Sequence, residues 1–426
     1  MATLKQARWV ADAVSGVPRA DRRSCEYSAY LPDPLADCSV TLSGEVAADV
    51  ADAETALARL DVRAGALTCT EALARLLLRA ECVASSRIEG LEIGPRRLLR
   101  AEAARQMGEP PADLKAEDVL GNIDAMREAL ESGERDEVVS RETILGIHRA
   151  LLKGTRLAQY AGRMRQGQNW IGGSPHNPCS AVFVPPPPEA VPDLLDDLAR
   201  FCNGDSLPAV VQAAIAHAQF ETIHPFADGN GRTGRALVHL ILSRRRLSGH
   251  VQPPISLVLA TRAADYIRGL TSYRYVGPPD SEAARAGLNE WVGIFAAACV
   301  RAAGDAEAFE QRCQEIEAGW REGVGPIRQG SSVDLLLRLL PGTPILSVKT
   351  AVAMLGRSKP QVNSAVARLR DAGVLTQVTV GRRNRAFEAR GVIDAFTDLE
   401  RQLGSPDGDT AVSPPSRPVP ARVNRG

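Results

Sequence analysis

The pattern of apolar and polar positions predicts a mainly helical chain. Between Thr68 and Gly90 apolar side chains recur every three or four residues, as on one face of a helix, at Leu73, Leu76, Leu77, Ala80 and Val83. Thr68 and Glu71 have the spacing of a capping box, and Gly90 is a suitable residue to end this helix. The same reasoning predicts helices over 47–60, 91–107, 116–130, 140–154, 192–201, 208–223, 232–244, 260–272 and 283–303.

Two regions depart from this pattern. Glycine and proline crowd the stretch 155–190, which predicts an irregular loop or a hairpin. Near the C-terminus three short helices, two of them capped by Ser347 and Ser358, precede two strand-like runs joined by GRRN. This order predicts a winged helix-turn-helix over 328–403. Residues 404–426 are rich in Pro, Ser and Asp without an apolar pattern, which predicts a disordered tail.

The overall composition favours no particular class of binding partner. The 426 residues hold 51 basic and 51 acidic side chains, so no global field favours nucleic acid or a membrane surface. The eight cysteines include no CxxC pair, which favours buried thiols in a reducing compartment over a disulfide framework. No run of apolar residues has the length of a signal peptide or a membrane span, so we expect a soluble, cytoplasmic protein.

The candidate chemistry lies in the sequence HPFADGNGRTGR, between two predicted helices. Gly229, Asn230 and Gly231 tolerate unusual backbone angles, so successive N–H groups can face one concavity at a helix N-terminus, which favours an anion. Arg232 and Arg235 are three residues apart and share a helix face, so both can bind phosphate oxygens. The alternative is an ordinary glycine-rich turn whose arginines pair with surface carboxylates.

Two further side chains flank this loop. Asp228 is placed to hold Mg²⁺ against phosphates, and His224 can take a proton from a hydroxyl near neutral pH. The absence of G-K-[ST] excludes a P-loop. His217, Glu221 and His224 share a helix face, but their spacing is not H-E-x-x-H, so we interpret His217 as a core histidine rather than as a zinc ligand.

The stretch 224–235 matches the Fic signature H-x-F-x-[DE]-G-N-G-R-x-x-R at every fixed position, and the chain resembles the Fic family. The likeness extends to HAQFETI, to the segment from Gly162 to Ile171 and to VPPPP, and it covers about residues 60–305. It implies a Fic-type helical core with a β-hairpin flap that registers a target segment by strand addition, although an ordinary surface hairpin is the alternative. It also implies transfer of AMP from ATP to a Ser, Thr or Tyr hydroxyl of a target protein, with release of pyrophosphate.

The resemblance assigns a role to each residue of the motif. The anion nest and its arginines would bind the ATP phosphates: Gly229, Asn230, Gly231, Arg232 and Arg235. His224 would be the catalytic base and Asp228 would hold Mg²⁺. Arg232 would meet the β-phosphate and Arg235 the γ-phosphate, with Phe226 anchoring the loop in the core.

Ser85 and Glu89 match the Fic inhibitory motif [ST]-x-x-x-E-[GN]. In the family this glutamate reaches the counterpart of Arg235 and occupies the γ-phosphate position. A carboxylate and a phosphate cannot both pair with one guanidinium, which makes such a brake physically reasonable. The alternative is a solvated Ser/Glu pair at a helix end.

We divide the chain into an N-terminal helical region with the inhibitory motif (1–110), a Fic catalytic core (111–325), the winged helix-turn-helix (328–403) and the tail (404–426). Between 357 and 390 eight residues are basic and two, Asp371 and Glu388, are acidic. DNA is one partner that this region fits, and protein docking or a homodimer is the alternative. Other functions left open are a nucleotide-sensing transcription regulator and a Fic enzyme that transfers another phosphate-containing group or removes AMP.

Overall fold

A computed structural model describes residues 1–11, 18, 21–36, 39–65, 70–109, 113–135, 138–380 and 384–403. These residues form two compact units. The first unit comprises 1–58, 121–249 and 264–300, and the second comprises 59–120, 250–263 and 301–403. The residue Thr68 of the predicted capping box, most of the GRRN turn and the predicted tail lie outside the described residues.

The described residues are mainly helical, as predicted. The helices are α1 Gly44–Gly65, α2 Thr70–Ile88, α3 Pro95–Gln106, α4 Leu114–Glu134, α5 Arg141–Leu152, α6 Val191–Cys202, α7 Ala209–Ile223, α8 Asn230–Arg244, α9 Ile255–Thr261, α10 Ala263–Ser272, α11 Glu282–Val324, α12 Ser332–Leu339, α13 Val348–Leu355, α14 Lys359–Asp371 and α15 Arg390–Leu403. The strands are β1 Thr3–Trp9, β2 Cys25–Leu31, β3 Ile345–Leu346, β4 Thr376–Val380 and β5 Asn384–Glu388. Within the described residues, no helix has both the length and the apolar character needed to cross a bilayer.

The core of the first unit is built around α7 and α8. All residues of α7 are buried, which is why its sequence AVVQAAIAHAQFETI is apolar on nearly every side. The indole of Trp291 donates a hydrogen bond to the Ala214 carbonyl at 2.7 Å, which joins α11 to α7. Trp291 and Tyr266 are both buried, as expected of core aromatics.

In the second unit α12 to α14 and a three-stranded antiparallel sheet share one hydrophobic core. The strand order is β3-β5-β4, and β4 meets β5 as the predicted hairpin. Ser347 accepts a hydrogen bond from the Thr350 backbone N–H at 3.0 Å, as its predicted capping role requires.

Several elements differ from the sequence predictions. Helix α11 continues to Val324 instead of ending at 303, because one glycine, Gly304, is tolerated inside a helix and the next proline is Pro326, just beyond the helix end. Helix α3 starts at Pro95 rather than at Leu91, since proline suits the first turn of a helix. The β1–β2 hairpin at the N-terminus was not predicted.

The interpretation of the cysteines as buried thiols is wrong for one pair. Cys25 and Cys179, 154 positions apart in sequence, form a disulfide with their Cα atoms at 5.7 Å. That separation gives no local spacing signal, so only the fold brings the two thiols together. The other described cysteines are buried and form no disulfide: Cys82, Cys202, Cys299 and Cys313.

Candidate active site

The predicted catalytic loop connects α7 to α8 in the first unit. His224 follows the last residue of α7 and has left-handed backbone angles, φ 48° and ψ 61°. Such a conformation is strained for a residue with a side chain and needs support from its surroundings. Two donors hold the His224 carbonyl: Arg165 Nε at 2.9 Å and Asn169 Nδ2 at 3.2 Å.

Arg165 makes further contacts with this part of the backbone. Its guanidinium is buried and donates to the carbonyls of Gly167 at 3.1 Å and Pro186 at 2.5 Å. Its own N–H donates to the Pro225 carbonyl at 2.9 Å. Burial lowers the pKa of Arg165 to about 10, while the carboxylate of Glu189 acts in the opposite direction. The hydrogen-bond donors of Arg165 therefore fix the backbone around His224.

Asn230 closes the loop from the other end. Its Oδ1 accepts a hydrogen bond from the Phe226 N–H at 2.8 Å, and its Nδ2 donates to the Phe226 carbonyl at 2.9 Å. The side chain is thus occupied within the loop, so only the backbone N–H of Asn230 can serve the predicted anion nest. Phe226 is fully buried, consistent with the expected anchoring role.

His148 on α5 is a site residue that the sequence analysis missed. Its Nδ1 accepts a hydrogen bond from the Gly162 N–H at 3.1 Å, so the ring proton must lie on Nε2. That proton is donated to the Asp228 carbonyl at 3.0 Å, and the ring stacks on Phe226 with centroids 3.7 Å apart. The pKa of His148 is lowered to about 4, mainly by burial; the hydrogen bond to the Asp228 carbonyl opposes this shift, and the charge of Arg232 contributes to it.

The start of α8 has the features of an anion site. Gly229 has φ 80°, and a Cβ there would come within 2.8 Å of Leu151 Cδ2, so glycine is required. The Arg232 side chain is buried, and its Nε and Nη1 atoms have no hydrogen-bond partner among the described residues. Unsatisfied buried guanidinium donors cost free energy, and a phosphate oxygen would satisfy them.

The remaining Arg232 nitrogen, Nη2, pairs with Asp228 Oδ1 at 3.0 Å. Asp228 is half-exposed, with 49 % of its side chain accessible. One accessible carboxylate suits Mg²⁺, which binds few protein ligands and takes the rest from water and substrate phosphates. The described residues contain no group of three His, Cys, Asp or Glu side chains that would form a metal site by themselves.

The surroundings of His217 on α7 distinguish a core histidine from a zinc ligand. This residue is buried, and its Nε2 lies 2.8 Å from the Tyr266 hydroxyl. Burial lowers the pKa of His217 to about 3, and the charge of Arg235 contributes in the same direction. His217 is therefore a core histidine, and Arg235 is buried on the neighbouring helix α8.

The stretch 155–190 contains an isolated antiparallel bridge between Ile171 and Phe183. The N-terminal hairpin supports it: the Tyr30 N–H donates to the Val184 carbonyl at 2.9 Å, and Trp9 packs edge-on against Trp170. The disulfide ties the same hairpin to this segment. The predicted flap thus has a hairpin-like centre and a covalent support.

The inhibitory candidates lie in the second unit. Ser85 is buried in the last turn of α2, and Glu89 is exposed in the turn that follows Ile88. Gly90 has φ 79° and ends the helix, as predicted. The loop residues 224–235 therefore belong to the first unit, and Ser85 and Glu89 belong to the second.

The comparisons with known proteins agree with this geometry, in which donors fix the loop carbonyls, a glycine begins the helix, and a buried arginine keeps two unsatisfied donor atoms. Residues 138–242 match the Fic/DOC family, and residues 47–131 match the Fic/DOC family N-terminal region. Residues 138–242 are a Fic domain. The Fic domain contains α5 to α8, and with them every loop residue described above.

Relatives and solved structures point in the same direction. The protein adenylyltransferase fic-1 of Caenorhabditis elegans is 39 % identical over 141 residues, which is 32 % of this chain and 25 % of the relative. A probable protein adenylyltransferase of Aquifex aeolicus is 38 % identical over 109 residues, 25 % of this chain and 31 % of the relative. The chain therefore matches less than a third of the length of these relatives. A Fic family protein from Desulfovibrio desulfuricans has the same fold, with a TM-score of 0.51 and 21 % identity over 84 % of this chain and 98 % of that one.

Proposed function

We propose that this protein is a protein adenylyltransferase, which transfers AMP from ATP to a Ser, Thr or Tyr hydroxyl of a target protein and releases pyrophosphate. The observation that carries the proposal is the buried guanidinium of Arg232, which has two unsatisfied donors at a helix start beside His224. The two unsatisfied donors and the helix start are suited to bind a polyphosphate. The relatives named as adenylyltransferases support ATP as that polyphosphate.

In the reaction, His224 accepts the proton of the target hydroxyl as its oxygen bonds to the α-phosphorus of ATP. The bond between the α-phosphorus and the bridging oxygen breaks, and pyrophosphate leaves with that oxygen. Arg232 and the N–H groups at the start of α8 neutralise the charge of the departing phosphates, and Arg235 extends this cationic surface along α8. Mg²⁺, when bound at Asp228, supplies further neutralisation of phosphate charge.

The ion pair between Asp228 and Arg232 is part of this proposal. Each side chain neutralises the other at 3.0 Å. If Asp228 held Mg²⁺, it would no longer neutralise Arg232, and the guanidinium of Arg232 would be available to phosphate oxygens.

We further propose that Glu89 holds the enzyme back, with Ser85 supporting the end of α2. The support is the match of both residues to the Fic inhibitory motif and the match of residues 47–131 to the Fic N-terminal region. We also propose the division into 1–110, 111–325, 328–403 and 404–426.

The test is incubation of purified protein and lysate with ATP labelled at the α- or the γ-phosphate. Glu89→Gly should label itself and its targets from α-labelled ATP only, at least tenfold above wild type, and adding His224→Ala should abolish labelling. Glu92→Gly, which removes an exposed carboxylate three residues away, is the matched control and should behave as wild type. Nucleotide binding without labelling would instead indicate a sensor, and label from the γ-phosphate would indicate phosphoryl transfer.

A further inference from the structure

Residues 331–388 of the second unit have their own core and an ordered topology. The elements run α12, β3, α13, α14, β4, β5, and the strand order is β3-β5-β4. This is the order of elements in winged helix-turn-helix modules. In helix-turn-helix readers of DNA the second helix of the motif, here α14, enters the major groove.

A groove of about 590 Å³ opens where α13, α14 and β5 meet. It is lined by Met107, Ser347, Val348, Lys349, Val352, Lys359, Asn363 and Arg385. Three of these residues are cationic and none is acidic. Lys349, Lys359 and Arg385 are all exposed, and each comes from a different element of the module.

These three cations differ from other basic residues in the described part of the module. Arg338 pairs with Asp334 at 3.1 Å, and Arg368 donates to the carbonyls of Val324 and Pro326. By contrast, no carboxylate within the described part of the chain pairs with Lys349, Lys359 or Arg385. The Arg385 guanidinium lies 5.0 Å from the centroid of the Phe387 ring, which supports the arginine without neutralising it.

We propose that this groove binds duplex DNA. Lys349, at the N-terminus of α13, and Arg385, on the strand after the predicted wing, contact backbone phosphates on either side of α14. Lys359 contacts a phosphate at the start of α14. Asn363, one turn further along, presents an amide that can pair with the donor and acceptor edge of adenine in the major groove. This proposal does not depend on adenylyl transfer.

The test uses the full-length protein and the fluorescence anisotropy of a labelled 30-base-pair duplex between 50 and 200 mM NaCl. Three phosphate contacts predict a slope of about −3 in a plot of log affinity against log salt. Replacing Lys349, Lys359 and Arg385 by alanine should weaken binding at least tenfold at 50 mM NaCl and flatten the slope to near zero. Asn363→Ala should keep the slope.

The matched control is Lys115→Ala/Arg312→Ala/Arg328→Ala, which removes the same charge from exposed positions outside the groove. It should bind as wild type. The proposal is overturned if wild type shows no anisotropy change at 50 µM in 50 mM NaCl, or if both triple variants bind alike. Polyglutamate and unlabelled duplex can also be compared as competitors at equal charge. The proposal is overturned if polyglutamate competes as well as the duplex, because the groove would then accept any acidic polymer.

Discussion

His148 gives the sharpest prediction about the catalytic loop. Its Nδ1 accepts from the Gly162 N–H, and its Nε2 donates to the Asp228 carbonyl. His148→Phe keeps a ring to stack on Phe226 but removes both hydrogen bonds and leaves a donor and an acceptor unpaired. Two such losses, each costing about 1–3 kcal/mol, sum to about 2–6 kcal/mol in the free energy of unfolding.

The loss of these two hydrogen bonds should also slow the reaction. Without the His148 donor, the peptide between Asp228 and Gly229 can rotate and turn a carbonyl towards the phosphates in place of an N–H. Loss of one preorganised donor to a developing charge costs about 10²-fold in kcat. We therefore expect His148→Phe, in the Glu89→Gly background, to lower kcat between 10- and 100-fold.

Urea unfolding and steady-state labelling with ATP measure the two effects separately. His148→Gln, whose amide can both donate and accept, should recover part of kcat. His250→Phe, at an exposed histidine bonded to Asp61, is the control and should leave kcat unchanged. A His148→Phe protein that loses stability but keeps kcat within twofold of its parent would show that His148 only supports the fold.

Three other predictions follow from single contacts. Asn169→Ala removes a hydrogen-bond donor to the carbonyl of the proposed base, so it should lower kcat at least tenfold with ATP affinity unchanged. The control is Asn203→Ala, which removes comparable hydrogen bonds to carbonyls elsewhere and should lower only the melting temperature. The pKa of His217 in the fold, about 3, is below its unfolded value near 6.5, so its contribution is present above pH 6.5 and lost as pH falls. His217→Gln should therefore make urea unfolding less sensitive to pH, by about 2 kcal/mol between pH 8 and 5, and equal sensitivity in both proteins would contradict this assignment. A reductant should destabilise wild type by up to about 5 kcal/mol, as expected for a long closed loop, and leave Cys25→Ser/Cys179→Ser unaffected; an equal response of both proteins would contradict the disulfide.

Local signals predicted most of the helices. Ser347 caps α13 where the sequence placed it, because a cap bonds to a backbone N–H only three residues away. The β1–β2 hairpin was missed because its strands are separated by 15 residues with no two-residue turn to mark them.

The sequence predicted which residues form the catalytic loop, but not which hydrogen bonds hold the loop in place. Arg165 lies in the segment from Gly162 to Ile171 that resembles the family, yet its acceptors at His224 and Pro225 are about 60 positions away, so its role could not be derived from the sequence. His148 reaches Asp228 across 80 positions. Asn230 was predicted as part of the nest, whereas its side chain is used to close the loop.

The central claim is that the start of α8 binds the phosphates of ATP. Calorimetric titration of Mg²⁺–ATP into the Glu89→Gly/His224→Ala protein, which is expected to bind without reacting, tests it directly. Adding Arg232→Met should raise Kd at least 100-fold, since it removes a buried charged partner of phosphate, while Arg200→Met, at an exposed arginine, should not change Kd. Equal ATP affinity in the Arg232→Met protein and its parent would contradict the account.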